Sequence, residues 1–470
     1  MTTAGRFSRR LRTALRREAQ GLLQAGPRTV QLMRPLGPQV PSDARVQQVL
    51  DLCMQVGEVL LSSGENADET TRTMLRLASA CGLSAVDVDI TFTSITMCCH
   101  RGMAAAPVTS MRLVRYRSLD LTRLAEVSSV VDRVEHAELD AEGAAAVLAE
   151  AVSAPHPYPR WVATTGWAGL AASIALLLGA APVTALVAFV VTALIDRTGR
   201  LLNRWGLPAF FQQVVGGMLA TGATLALFAG GVFPPGTKPS LVIAASITVL
   251  LSGLSVVGTV QDAISGYYVT AAGRGMEILL LSAGLLTGVV LGLKIGFEFG
   301  LALEVAGELP SGAGQFSISL LASAAAAASF SLAGYARPRP LLAAGLAGAA
   351  GWGTYGVLTQ LFATGPVAAT GAAAVVVGIA TGLLRRSGSG VAPLVVTLAG
   401  ITPLLPGFTA YRGFYQLAVE GLADGLVTAT VALGIGLALA AGVAFGDFLA
   451  RPRRTPVTSV AEAPQDADRQ

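Results

Sequence analysis

Charged side chains are scarce in this sequence of 470 residues. Asp, Glu, Lys and Arg make up only 13% of it, whereas a soluble protein carries roughly a quarter. Hydrophobic residues account for 53%, and the mean hydropathy is +0.61. The composition therefore predicts a membrane protein. The net charge of +4 is too small to indicate a nucleic-acid partner.

The charges that are present crowd the N-terminal third. Residues 1–160 hold 18 of the 33 basic residues and 17 of the 29 acidic ones, which predicts a soluble part followed by a hydrophobic remainder. Six arginines between residues 6 and 17 have no apolar segment after them, so they do not belong to a signal peptide. Residues 1–41 are expected to form a flexible basic tail, either solvated or lying on anionic lipid.

Cysteine is also rare, and all four cysteines lie in the soluble third: Cys53, Cys81, Cys98 and Cys99. In the cytoplasm they would stay reduced. The Cys98-Cys99-His100 run lacks the C-x₂₋₄-C spacing of a zinc site, so thiols on a strand are predicted, with no metal and no cofactor. The hydrolase patterns G-x-S-x-G and H-E-x-x-H are missing too, so the chain is not predicted to be an enzyme.

The soluble third has the periodicities of a small α+β domain at residues 42–154. Helical spacing of apolar residues predicts helices at 42–63, 66–81, 119–137 and 141–151, and alternation predicts strands at 86–92, 95–100 and 111–116. Four acidic residues surround a glycine turn: Glu58, Glu65, Asp68 and Glu69. We interpret them as the solvated start of a helix rather than as a hydrolytic pair. A basic group is expected to face lipid headgroups or water: Arg112, Arg115 and Arg117.

After a proline-rich linker at residues 155–160, the remainder predicts an all-α bundle of ten spans, each of about 20 residues. The spans are 161–180, 181–197, 208–232, 240–260, 275–295, 314–335, 341–361, 366–384, 391–411 and 424–449. They divide into halves at 161–310 and 311–450, with a tail at 451–470. Eleven arginines fall on the soluble domain's side and only Lys238, Lys294 and Arg412 on the other, which predicts cytoplasmic termini.

The ninth predicted span is interrupted. Residues 397–415 carry Pro403, Pro406 and Gly407 inside an apolar run, and such residues break a helix. Irregular backbone at membrane depth needs protein or a cavity around it. Residues 251–268 hold the equivalent place in the first half. Because each half has five spans, the halves would be inverted repeats, an architecture typical of secondary transporters.

Several segments resemble the threonine/serine exporter family of bacterial amino-acid transporters. In the soluble part they are GEVLLSSG at 57–64 and TFTSIT at 91–96. In the membrane part they are QDAISG at 261–266, continuing to Arg274 and Glu277, and PLLPG at 403–407 followed by YRG at 411–413. The motifs stand in the family's order across residues 45–450. LSG at 251–253 departs from the Pro-Gly pair that members often have.

The resemblance implies export of threonine and serine from the cytoplasm by an antiporter that the proton-motive force drives. The expected partners are these small amino acids, protons and the lipid bilayer of the plasma (inner) membrane, and a homo-oligomer stays open. The alternatives are a membrane-anchored enzyme or sensor acting through its N-terminal domain, and a channel. Ten spans exceed what an anchor needs, and no ring-forming polar motif stands out.

Ionisable residues within spans indicate function, and five candidates surround the end of the fourth span: Asp262, Ser265, Thr270, Arg274 and Glu277. Asp262 could meet the substrate's ammonium, and Arg274 or helix N–H groups its carboxylate. A carboxylate in a site of low dielectric constant has a raised pKa, so it could also carry a proton during the transport cycle. The alternative is that these are loop residues at the cytoplasmic interface, with Arg274 setting the topology.

The broken ninth span adds four candidates: Pro406, Gly407, Tyr411 and Arg412. Arg412 either binds substrate, pairs with Glu420 or Asp424, or snorkels to the interface. The weaker expectations are an acidic outer segment (Glu298, Glu304, Glu308), local salt bridges of Asp196 and Asp447, and interhelix hydrogen bonds of Gln212 and Gln213.

Overall fold

A computed structural model describes residues 42–101, 105–114, 119–251, 253–301, 313–386, 392–417 and 422–450. The expectations for both terminal tails, 1–41 and 451–470, lie outside the described residues. So do those for Arg115, Arg117, Glu304, Glu308 and Glu420.

In the residues that the structure describes, the N-terminal domain has four helices and one sheet. Capping side chains begin its first two helices: the Ser42 hydroxyl accepts from the N–H of Arg45, and Asn66 Oδ1 accepts from the N–H of Glu69 at 2.8 Å. These helices confirm the predicted ones. Their bounds are α1 (Asp43–Ser62), α2 (Ala67–Ala80), α3 (Leu121–Glu135) and α4 (Ala141–Ser153).

The sheet is antiparallel with the order β1-β2-β3. Its strands are β1 (Val86–Thr91), β2 (Ser94–Cys99) and β3 (Val108–Leu113). Alternation along β2 buries Ile95, Met97 and Cys99 and leaves Cys98 half-buried. The predicted strands are confirmed, and so is the placement of both thiols on one of them. β3 begins at residue 108, earlier than the predicted 111.

The membrane part is helical throughout its described residues. Its first half contains α5 (Arg160–Leu177), α6 (Pro182–Arg204), α7 (Ala209–Ala229), α8 (Ser240–Leu250), α9 (Gly253–Ile264) and α10 (Tyr268–Glu298). Its second half contains α11 (Ala313–Ala333), α12 (Pro338–Leu361), α13 (Pro366–Arg386), α14 (Pro393–Ile401), a 3₁₀ turn (Thr402–Leu404), α15 (Gly407–Tyr415) and α16 (Leu422–Ala450).

Among the described residues, six helices are long and apolar enough to cross a membrane, and there are up to eight spans if each of two bent helix pairs counts as one. The bent pairs are α8 with α9, turning by 46°, and α14 with α15, turning by 41°. α5 and α6 form a hairpin, because the Arg200 guanidinium near the end of α6 donates to Thr164 at the start of α5 at 2.6 Å. Ten spans stay a prediction.

The two halves repeat the same packing order. In each half, the bent pair follows one helix (α7 or α13) along the chain and precedes a long final helix (α10 or α16). The helix before the bent pair and the helix after it pack on each other. Glycines allow the close approach: a Cβ on Gly288 would overlap the carbonyl oxygen of Val214, and one on Gly446 that of Val375. An internal repeat would produce this correspondence, and the inverted orientation of its halves stays a prediction.

Candidate functional site

A cavity of about 300 Å³ lies where the two bent pairs meet, which is at the lower end of the size of small-molecule sites, about 300–1,000 Å³. We call it the central cavity. Most of its wall is apolar, and Trp167, Leu170 and Phe330 supply much of that surface. The polar groups on its wall come from Ser62, Ser63, Thr248, Ser255, Arg274 and Thr402.

The breaks in both bent pairs border this cavity. In the first half α8 ends at Leu250, and Leu251 is extended with ψ at 127°. In the second half Leu405 is extended with ψ at 140° before α15 begins at Gly407. Leu250, Leu251 and Leu405 all line the cavity. The breaks therefore bring the C-terminal ends of α8 and α14, with their backbone carbonyls, close to the N-terminal ends of α9 and α15, with their backbone N–H groups. A polar ligand in this region can bind to these backbone groups.

A smaller cavity of about 100 Å³ lies next to the central cavity. Thr248, Thr402 and Leu405 line both cavities, and Pro406 and Tyr355 line only the smaller one. The two bent pairs touch here, because a Cβ on Gly407 would overlap the Thr248 side chain. We call this contact the constriction.

The soluble domain forms the opposite wall of the central cavity. Ser62, Ser63 and Gly64, at the turn between α1 and α2, line it. Gly64 has a φ of +97°, a left-handed conformation that glycine adopts without strain. The turn that follows the GEVLLSS segment therefore contacts the membrane part and lines the cavity.

A buried ion pair holds this turn in place. Arg274 Nη1 lies 3.0 Å from Asp262 Oδ2, and the two side chains are 2% and 0% exposed. Asp262 Oδ1 accepts from the N–H of Ala67 at 2.7 Å, at the start of α2. Arg274 Nη2 donates to the carbonyl oxygen of Glu65 at 2.8 Å. Both members of the pair thus bind the backbone on either side of Asn66.

Further contacts join the same surfaces. Thr270 Oγ1 donates to the carbonyl oxygen of Ile90 at 2.9 Å, and Asn66 Nδ2 donates to Gln261 Oε1 at 3.3 Å. Phe92 covers Gly273 so closely that a Cβ there would lie 2.8 Å from its ring. The soluble domain is therefore docked on α9 and α10 by buried polar contacts and by packing.

A third cavity of about 290 Å³ lies on the far side of the turn. We call it the mouth cavity. Gly64 and Leu398 line both it and the central cavity. Glu65 lines the mouth cavity with 5% of its surface exposed. Burial above all, and then the negative charge of Glu69, raises the pKa of the Glu65 carboxyl from 4.5 to about 8.

The structure brings three of the five first-half candidates together. Asp262, Thr270 and Arg274 meet under the docked domain, and of these Arg274 lines the central cavity. Ser265 is exposed and lines the mouth cavity, and Glu277 is half-buried on α10, one turn beyond Arg274. Both members of the ion pair lie within helices and are buried, so they are not loop residues, whereas a place at the cytoplasmic interface and a role of Arg274 in the topology stay predictions. α10 starts at residue 268, ahead of the predicted 275.

The second-half candidates spread along α15. Pro406 lines the smaller cavity, and Gly407 is buried against Thr248. Tyr411 is buried, and Arg412 is exposed. Within the described residues Arg412 has no ion pair with Asp424.

Among the weaker expectations, the local salt bridge of Asp196 is confirmed, because it pairs with Arg200 one turn away, whereas Asp447 of α16 pairs with Arg385 of α13 at 3.3 Å. Gln213 Nε2 donates from α7 to the carbonyl oxygen of Leu250 on α8 at 3.4 Å, which confirms an interhelix bond. Gln212 Nε2 donates to the loop carbonyl of Leu207 at 2.6 Å and also to Asn203 Oδ1 on α6 at 3.5 Å, so an interhelix bond of Gln212 is confirmed as well.

Sequence reasoning was wrong about Glu65 of the N-terminal domain, which is buried in the mouth cavity and is not part of a solvated helix start. Arg112 is about a third exposed and pairs with Glu58 at 2.8 Å. Sequence reasoning also missed Thr248 and Thr402 at the constriction. The signal that could have found Glu65 is its place directly after the GEVLLSSG segment, one of the motifs that carry the family resemblance.

The bent helix pairs, the cavity between them and the long apolar helices define a multi-pass membrane transport protein. The chain belongs to the threonine/serine exporter family. A family model described as "Putative threonine/serine exporter" matches residues 51–296, and one described as "Threonine/Serine exporter, ThrE" matches residues 319–449.

Curated relatives agree with the family models. A "Probable threonine/serine exporter" of Mycobacterium tuberculosis is 38% identical over 423 residues, which is 88% of this chain and 78% of that protein. A "Threonine/serine exporter" of Corynebacterium glutamicum is 35% identical over 430 residues, 90% of this chain and 87% of that protein. A "Probable succinate transporter subunit YjjP" of Escherichia coli is 25% identical over 262 residues, 53% of this chain and 94% of that protein. No solved structure matches the chain significantly.

Proposed function

We propose that this protein exports threonine and serine from the cytoplasm, that inward proton movement drives the export, and that the substrate binds in the central cavity. In this proposal the membrane part has ten spans in two inverted halves, lies in the plasma membrane and keeps both termini in the cytoplasm. The names of the relatives support the substrate class, and the cavity supports the place of binding.

The observation that carries the proposal is the chemistry of the cavity wall. A zwitterionic amino acid needs donors for its carboxylate and acceptors for its ammonium. Amide ends of α9 and α15 and the guanidinium of Arg274 are donors, and carbonyl ends of α8 and α14 are acceptors. The hydroxyls of Thr248, Ser255 and Thr402 suit a substrate that has a hydroxyl of its own.

The site residues take different roles in this proposal. Arg274 faces the substrate's carboxylate, and Asp262 holds Arg274 in position from under the docked domain. Gly407 and Thr248 close the outer side of the cavity. Ser265 and Glu277 stay secondary candidates, and Arg412, which is exposed, lies outside the substrate site.

The orientation of the protein is supported by the helix ends that touch the soluble domain. The α9–α10 connection bonds to the domain through Tyr267 and Thr71 at 3.0 Å, and the α11–α12 connection through Tyr335 and Thr122 at 2.5 Å. Both connections belong to the side that the charge pattern assigns to the cytoplasm, where Arg337 and other arginines collect.

Transport in proteoliposomes tests the function. The purified protein should accumulate labelled threonine and serine only with an imposed pH gradient, and a protonophore should abolish the accumulation. Labelled succinate is the comparison substrate, chosen because one relative is named for it. Flux of succinate without threonine or serine, or no gradient-dependent flux of any small amino acid, would contradict the proposal.

A further inference from the structure

We propose that Glu65 of the soluble domain is the proton-coupling carboxyl of this transporter, and that its protonation seats the turn at residues 63–66 as the cytoplasmic gate of the central cavity. The inference rests on the proposed function, because it assigns the proton coupling of that export to one residue. It also gives the soluble domain a place in the transport cycle.

The position of the turn is the first argument. Ser62, Ser63 and Gly64 line the central cavity, and Gly64, Glu65 and Asn66 line the mouth cavity. The turn is thus the partition between the two cavities. A substrate that passes from the mouth cavity to the central cavity has to displace it.

The burial of Glu65 is the second argument. The side chain is 5% exposed, and an ionised carboxylate in such a place loses most of its hydration. Its Oε1 accepts from the N–H of Asn66 at 3.2 Å. When the turn lifts, water reaches the carboxyl, and the charged form becomes favourable again. Docking and proton binding are therefore coupled at this residue.

The charges around the mouth cavity do not reverse this coupling. Burial has the largest influence on the pKa of Glu65 and raises it, and the charge of Glu69 raises it further. The hydrogen bond from the N–H of Asn66 and the charges of Arg274 and Arg385 lower the pKa by less. The charged or titratable groups on the elements around Glu65 are Asp68, Glu69 and Arg72 of α2, Asp262 of α9, Arg274 of α10, Arg385 of α13 and Asp447 of α16.

The direction of the pH effect follows from the raised pKa. Docking gains its full stabilisation below the ordinary carboxyl pKa of 4.5 and loses it as the pH rises through about 8. Between about pH 7 and about pH 9 the docked-to-undocked ratio should fall about tenfold. Release of the proton to the cytoplasm would thus open the gate for loading, and renewed protonation of Glu65 would close it. In both steps the Glu65 carboxyl gives its proton to water or takes it from water.

Thiol accessibility measures the gate directly. In a chain with its four cysteines replaced by alanine, Ser63→Cys is a conservative probe that is buried only while the turn is docked. Inside-out vesicles receive a membrane-impermeant maleimide, and the exposed Thr109→Cys corrects for the reagent's own pH dependence. The corrected labelling rate should rise about tenfold from about pH 7 to about pH 9. An unchanged corrected rate would overturn the proposal.

Two substitutions separate Glu65 from its surroundings. In Glu65→Gln the pH dependence of labelling should vanish, and export driven by a pH gradient should vanish with it. The matched variant Glu69→Gln keeps the response but moves it to lower pH, because a negative charge next to Glu65 is removed. Gradient-driven export at the original rate in Glu65→Gln would exclude this residue and leave the exporter function standing, whereas loss of all flux from the unmodified protein would refute the function itself.

A cross-link tests whether the domain has to move. A Cβ at Gly273 would lie 2.9 Å from the Cβ of Phe92, which is shorter than the spacing of a disulfide, about 3.5–4.5 Å, so the two segments have to separate slightly for the bond to form. Oxidised Phe92→Cys/Gly273→Cys protein should lose transport, and reduction should restore it. The control pair is Asp89→Cys/Thr96→Cys, which face each other within the sheet. Full transport in the oxidised interdomain pair would overturn a moving gate.

Discussion

Replacing Asp262 by asparagine should release the soluble domain without unfolding the membrane part. Asparagine keeps an oxygen for the N–H of Ala67, but it removes the charge that faces Arg274 at 3.0 Å. Arg274 is 2% exposed, and a buried charge that loses its partner costs about 3–5 kcal/mol. Undocking exposes the Arg274 guanidinium to water and removes this cost. The docked state is therefore destabilised by the whole of it, about 3–5 kcal/mol, relative to the undocked state.

That cost predicts the size of the effect. Since each 1.4 kcal/mol is a factor of ten, the undocked fraction should rise by a factor between about 100 and about 4,000. The assay is the labelling rate of Ser63→Cys in inside-out vesicles, with and without Asp262→Asn. Adding Arg274→Met removes both charges, and the double variant should label far more slowly than Asp262→Asn alone, because an uncharged pair of similar volume restores much of the docking.

Two results would refute this reasoning. Labelling of Asp262→Asn at the original rate would mean that the ion pair does not hold the domain. A double variant that labels as fast as the single one would mean that the two charges act independently. A raised KM for threonine with unchanged labelling would instead assign Asp262 to the substrate's ammonium.

Three further predictions concern the constriction, the cavity and the rim. Gly407→Val should abolish threonine flux in proteoliposomes because its side chain overlaps Thr248, whereas Gly222→Val, with open space around its Cβ, should retain it; equal flux in the two variants would contradict a constriction. Thr402→Val keeps the shape of the cavity but loses a hydroxyl, so the KM for threonine should rise by about fivefold, the worth of one hydrogen bond, and an unchanged KM would remove this hydroxyl from the site. Glu126→Gln breaks a largely exposed ion pair with α12 and should change docking, measured by the same labelling, by less than about 1 kcal/mol.

Much of the architecture could be predicted from local patterns. Alternation along residues 86–92 and helical spacing along 42–63 identified the soluble domain, because each period matches one regular structure. Pro403, Pro406 and Gly407 identified the break between α14 and α15, because proline and glycine act on their own backbone. The break between α8 and α9 was harder to find, since Leu251 is an ordinary residue whose extended conformation depends on its surroundings.

The site was predicted only in part for a related reason. The sequence identified Asp262 and Arg274 as functional, because charges inside apolar segments are costly wherever they lie. It could not predict that their partners are Glu65 and Ala67, which are about two hundred positions away in the chain. An acid after a glycine turn has the same local pattern in water and under another domain, and so Glu65 was assigned to solvent.

The sequence by itself determined that this chain is a membrane protein with an N-terminal α+β domain, an interrupted helix near Pro406 and a family resemblance, because hydrophobicity, periodicity and helix breaking are local properties. Only the tertiary structure decided what encloses the central cavity. The docking of residues 63–66 against α9 and α10 lowers the dielectric constant around Glu65. It also makes the N-terminal domain one wall of the central cavity. Burial depends on which distant segments meet, and no local pattern in the sequence contains that information.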